Sequence, residues 1–115
     1  MSQSVDVNYE IATIANGETN SNWVNFKGKQ LVAIVFPAAL TSASVKYNGR
    51  YLSTGNGNTI TQKNTPGTDY STSFVASKAV PLDVDVFCGW GQIQIVAASA
   101  EGGAREIVLI TRPVS

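Results

Sequence analysis

Histidine is absent from the 115 residues, and cysteine occurs once. Without histidine there is no imidazole base, no Ser-His-Asp triad and no histidine-ligated metal. A single cysteine forms neither an intrachain disulfide nor a cysteine-cluster zinc site. Charge is also scarce. Asp, Glu, Lys and Arg make up 14% of the chain, against about 25% in an average domain. Eight basic residues balance eight acidic ones, so no positive surplus draws the chain to nucleic acid or an anionic membrane. The longest apolar run, Leu31 to Leu40, is broken at Pro37 and falls well short of the ~20 residues of a membrane span. The opening Met1-Ser2-Gln3-Ser4-Val5-Asp6 lacks the basic and apolar regions of a secretory signal, so the expected compartment is a reducing one.

What fills the polar positions is Ser, Thr and Asn. Such a surface hydrogen-bonds without strong long-range fields, and its neutrality leaves little repulsion between copies. A free monomer of this kind is expected to associate, and a subunit of an assembly to have its surface covered. The length matches one domain, residues 1–115, with enough chain to bury a core unaided.

The order of residues points to strands. Val5, Val7, Tyr9 and Ile11 alternate with Asp6, Asn8 and Glu10, which predicts one buried and one wet face, with a possible bulge at Ala12-Thr13-Ile14. Trp23 to Phe26 is a short second strand. Leu31 to Phe36 is apolar throughout, which predicts a strand buried on both faces. Ala38 to Ala43 is the one place where a helical turn is expected. Asn48-Gly49 between Ser44–Tyr47 and Arg50–Leu52 predicts a type I′ hairpin, because that turn needs positive φ at both central residues. Thr59 to Gln62 and Tyr70 to Val75 are further short strands. Ala79-Val80-Pro81-Leu82 reads as an edge segment, since proline has no ladder donor. Gln92 to Val96 alternates, Glu101 to Ala104 is a turn, and Ile107 to Thr111 is a last core strand. The sum is an all-β chain of about seven to nine short antiparallel strands, a β-sandwich or jelly-roll.

No constellation carries catalysis. Asp83 and Asp85 share a strand face, but no oxygen-rich calcium loop accompanies them. Gly55-Asn56-Gly57-Asn58 lacks the Lys and Ser/Thr of a phosphate loop and opens no helix. Cys88 follows Phe87 with no cation to lower its pKa, so it reads as an inert buried thiol. The chain is expected not to be an enzyme and to need no cofactor or metal. The aromatics Trp23, Phe26, Tyr47, Tyr51, Tyr70, Phe74 and Trp90 serve either as core and interface or as a sugar-stacking surface. Across the expected hairpin Tyr47 pairs with Arg50, which gives Tyr47 and Tyr51 no joint platform. Arg50 and Arg105 have no partner in sequence, and each could reach a carboxylate on a neighbouring subunit.

Three stretches resemble a family of small all-β virion proteins of tailed bacteriophages. They are Ala12-Thr13-Ile14-Ala15-Asn16-Gly17-Glu18-Thr19, then Leu31 to Val45, then Ala79–Asp83 with Gly91–Val96 and Ala104–Ile110. Where the family often carries a Ser-x-Asp-Gly turn, this chain has Asn48-Gly49. The resemblance implies a capsid decoration (cement) protein that binds the outer surface of the coat-protein shell and stabilises it. Alternatives are a neck, tail or fibre component, or a carbohydrate-binding module. The implied partners are the major coat protein and the chain itself, as dimer or trimer, with no nucleic acid and no membrane. The implied location is the capsid surface of the virion, after synthesis in the host bacterial cytoplasm. Candidate subunit or capsid contacts are Val5, Val7, Tyr9 and Ile11, a terminal strand able to pair with a sheet edge, together with Arg50 and Tyr51.

Overall fold

The computed structural model describes residues 8–26, 29–51, 54, 55, 57–65, 67–87 and 91–113, with backbone alone at 84 and 85. Nine strands form two antiparallel sheets. The first sheet runs β1 (Asn8–Ile14), β9 (Arg105–Pro113), β3 (Lys29–Val35), β7 (Ala79–Pro81). The second runs β2 (Val24–Asn25), β8 (Gln92–Ala97), β4 (Ser44–Arg50), β5 (Asn58–Thr59), with β6 (Ser71–Ser73) also on β4. A single helical turn, α1 (Val84–Phe87), precedes β8.

One core draws on both sheets. Ala12, Ile14, Leu31, Ile34, Ile107 and Leu109 come from the first, and Val24, Val45, Tyr47, Ile93, Ile95 and Ala97 from the second. This sandwich-like packing follows from period-two alternation, which turns every second side chain toward the facing sheet. Aromatic rings close the space between the sheets. Tyr47 meets Phe87 edge-on at 4.8 Å between centroids, and Tyr70 meets Phe87 edge-on at 5.4 Å. The buried Tyr47 hydroxyl shares a 2.7 Å hydrogen bond with Thr72 Oγ1, and burial pushes its phenol pKa well up.

Four expectations are corrected. First, Asn48-Gly49 is no hairpin turn. Strand β4 passes straight through it, with Asn48 opposite Gln94 and Gly49 opposite Ile93. The Asn48 amide is spent across the ladder: Nδ2 donates to Gln94 Oε1 at 3.1 Å, and Oδ1 accepts from Thr59 Oγ1 at 3.2 Å. Tyr47 therefore pairs with Ile95, not Arg50. Second, β1 has the opposite phase. Ala12 and Ile14 are buried, Tyr9 and Ile11 are exposed, and the register with β9 runs without a bulge. The bulge lies instead in β3, between Leu31 and Ala33, and lets Leu31 and Ile34 both reach the core. Third, β3 is buried on one face only, since Val32, Ala33 and Val35 are half-buried. Fourth, Ala38–Ala43 makes no helical turn, because the Thr41 and Ser42 amides donate to a carboxylate and not to backbone carbonyls. Pro81 does lie on an edge strand, as its missing donor requires.

Gly57 marks the tightest approach in the second sheet. Its φ is +68°, and an added Cβ would lie 2.8 Å from the Gly49 carbonyl oxygen and 2.6 Å from the Trp23 ring. Gly57→Ala is expected to lower stability by about 1–3 kcal/mol without changing the fold. A lower urea midpoint with an unchanged far-ultraviolet circular dichroism spectrum checks it.

Candidate functional site

The two sheets differ on their outer faces. In the second sheet, the cross-strand pairs outside are Lys46 with Val96, Asn48 with Gln94 and Arg50 with Gln92. The polar members of the last two pairs bond within the sheet, and Lys46 pairs with Asp69. Gln94 Oε1 accepts from Asn48, Gln94 Nε2 donates to the Ser21 carbonyl at 2.9 Å, and Arg50 Nε donates to Gln92 Oε1 at 2.6 Å. This is apolar inside and polar outside, the pattern of a sheet with one face in water.

The first sheet breaks that pattern. Tyr9 on β1 lies opposite Ile110 on β9, Ile110 opposite Ala33 on β3, and Ala33 opposite Pro81 on β7. One row along, Ile11 lies opposite Val108, Val108 opposite Val35, and Val35 opposite Ala79. Both rows point away from the core, and all eight side chains are apolar. Tyr9 is 63% exposed and Ile11 41%, and the central-strand members are half-buried by their neighbours alone. Beyond these rows the outward pairs are polar: Thr13 with Glu106 at one end, Gln30 with Arg112 at the other. No described element covers this face. It is the candidate functional surface.

The six contacts expected from sequence separate. Val5 and Val7 lie outside the described residues, as do Cys88 and Trp90. Tyr9 and Ile11 stand on the apolar face. Arg50 and Tyr51 sit at one end of the second sheet, beside a shallow cleft of about 160 Å³ shared with Thr54, Gly57 and Asn58. Tyr51 is 77% exposed. The Arg50 guanidinium is committed within its own chain: it stacks on Trp23 at 4.2 Å and donates from Nη1 to the Gly55 carbonyl at 2.8 Å. Asp83 is exposed, and its backbone amide donates to the Tyr70 hydroxyl.

Sequence reasoning missed Glu101, placed in a turn yet only 1% exposed. Its Oε1 accepts from the Thr41 amide at 2.7 Å and from Arg105 Nε at 3.0 Å; Oε2 accepts from the Ser42 amide at 3.1 Å and Ser42 Oγ at 3.0 Å. Arg105 thus finds its carboxylate inside the chain, which corrects the expectation of a neighbouring subunit. Burial raises the Glu101 pKa, but the donors from Thr41, Arg105 and Ser42 outweigh it and hold the carboxyl below the ordinary range. With both oxygens occupied, this is a structural knot and no general base. Among the described residues, no cluster of three or more acidic, histidine or cysteine side chains could hold a metal ion, and no helix is long and apolar enough to cross a membrane.

No family model, curated protein or solved structure matches this chain.

Glu101→Ala removes the shared acceptor of the Thr41 and Ser42 amides and of the Arg105 guanidinium and is expected to cost about 3–5 kcal/mol of unfolding free energy. The lowered folded pKa makes the stabilisation complete above the unfolded value and progressively lost as pH falls through the folded one. Wild type is therefore expected to lose stability more steeply below about pH 4.5 than Glu101→Gln, as urea unfolding across pH 2–6 would show.

Proposed function

We propose that the chain is a capsid decoration protein of a tailed bacteriophage. It binds the outer surface of the coat-protein shell and stabilises it. The observation that carries the proposal is the uncovered apolar face on a chain of zero net charge. The largest apolar patch on a protein is often a functional surface, and neutrality leaves little to keep copies apart. A chain so built works inside an assembly. The phage resemblance supplies the kind of assembly. Its three stretches take in the end of β1 from Ala12, β3 from Leu31 with the segment leading into β4, β7, most of β8, and β9 as far as Ile110, so they touch all four strands of the first sheet.

The action is mechanical. A rigid two-sheet body bridges neighbouring coat subunits and adds buried area where DNA pressure pulls them apart. Many modest contacts act in parallel, so multiplicity outweighs the strength of any one. The partners are the coat protein and the chain itself; the location is the virion surface, after synthesis in the host cytoplasm. No catalytic step, cofactor or metal enters this reading. The exposed Tyr51 beside the Arg50 cleft favours a second reading, a glycan-binding module, since an exposed ring can stack on a sugar face.

Quantitative mass spectrometry of purified virions against the major coat protein is expected to find hundreds of copies. Shells stripped of the protein are expected to break at lower temperature. A dozen copies or fewer would move the chain to the neck, tail or fibre. None would remove it from the particle and leave a glycan array, with Tyr51→Ala as its control, to test the second reading.

A further inference from the structure

The outer face of the first sheet has a symmetry that identifies its occupant. Strand β9 crosses the middle of the face and carries four outward residues in order: Glu106, Val108, Ile110, Arg112. An acid stands at one end and a base at the other, about 20 Å apart at ~3.3 Å per residue, with the two apolar rows between them. Consider a two-fold axis parallel to the sheet, perpendicular to the strands and midway between the Val108 and Ile110 rows. It turns each strand antiparallel to its own copy. Glu106 then faces Arg112 of the second copy at both ends. The row containing Ile110 faces the row containing Val108, so the ring of Tyr9 meets the smaller Ile11, and Ala33 meets the larger Val35. The alternative axis, along the strands, sets Glu106 against Glu106 and Arg112 against Arg112.

We propose that this face binds a second copy of the chain, sheet against sheet, with β9 antiparallel to its counterpart. The occupant has the same chemistry as the face: apolar in the middle, acidic at one end, basic at the other. The two apolar rows cross four strands and the two charged rows two each, which at about 4.8 Å between strands and about 6.6 Å between rows is about 380 Å² of sheet per copy. The contact is small for a specific interface and so forms a weak dimer, with the more apolar centre and charged rim that homodimers show. Two apolar faces packed in this way lie about 10 Å apart, and the mean strand directions cross by about 30°. The runs Leu31–Val35 and Ile107–Ile110 are then covered on both sides, which their composition favours and no described element of the chain supplies.

The pairing draws on the same apolar face as the capsid reading, but its test is separate, on the purified full-length chain without phage. Sedimentation equilibrium of wild type is expected to approach twice the monomer mass of 12.2 kDa at about 100 μM. Ile110→Glu, at the centre of the face and away from the sheet edges, is expected to give monomer while circular dichroism stays unchanged. Glu106→Arg alone and Arg112→Glu alone are each expected to weaken dimerisation at least tenfold, because each sets like charges across both ends. The double variant Glu106→Arg/Arg112→Glu restores opposite charges and is expected to return to within a few-fold of wild type. A wild type that stays monomeric at about 100 μM overturns the proposal. So does a dimer indifferent to Ile110→Glu, which would join through the β1 edge. Monomer that dimerises only after removal of residues 1–7 would assign the face to that segment instead. A dimer lost with Ile110→Glu but insensitive to the single charge reversals would overturn the antiparallel arrangement.

Discussion

Strand β9 is hydrogen-bonded along both sides, to β1 and to β3, and this double pairing fixes the direction of every side chain in its sheet. A slip of one residue would exchange Ile107 and Leu109 for Val108 and Ile110. Hydrophobicity alone barely opposes that slip, because both faces of β9 are apolar. One end of the odd-numbered face is specified by a polar contact, since Arg105 must reach Glu101. That anchor helps set a register that the apolar residues leave degenerate.

The Glu101 knot does for the loops what β9 does for the sheet. Its carboxylate ties the Thr41–Ser42 segment, which leaves β3 and enters β4, to the turn that enters β9. The Gly17 amide donates to the Glu101 carbonyl and the Glu101 amide to the Glu18 carbonyl, so the turn after β1 joins the same knot. Connections from both sheets converge on one residue. A surface pair such as Lys46 with Asp69, half-exposed at 2.9 Å, contributes little beside it.

The strands were legible where the pattern was regular. Gln92 to Val96 alternates, and the structure buries Ile93 and Ile95 from it. The edge position of Pro81 follows from its missing donor. Asn48-Gly49 misled because turn propensity is local, whereas the Asn48 amide has partners on strands 11 and 46 residues away. The phase of β1 misled because Tyr9 and Ile11 look like core when exposure is judged by residue type alone. Glu101 was invisible for the opposite reason: a carboxylate followed by two glycines reads as solvent, and its four donors come together only in three dimensions. Tyr9 and Ile11 are contact candidates from sequence as part of a terminal strand able to pair with a sheet edge, whereas the structure exposes their side chains on the sheet face. Val108 and Ile110 were read as core, and half of that expectation is what makes the outer face.

The sheet edges limit how far association can go. Residues 80 and 82 face β3, so the missing N–H of Pro81 lies on the open side of β7. At the other edge the Asn22 side chain takes the Thr13 amide, and the Asn22 amide reaches the Thr13 carbonyl. Pro81 on one edge and the Asn22 clasp on Thr13 at the other each interrupt the row of donors and acceptors that could template further strands. Growth by strand addition, the route to fibrils, is therefore poorly served, and a two-fold contact consumes the face that forms it. In the language of polymers, a subunit paired in this way would have a functionality of one toward its own kind: it would terminate chains rather than extend them.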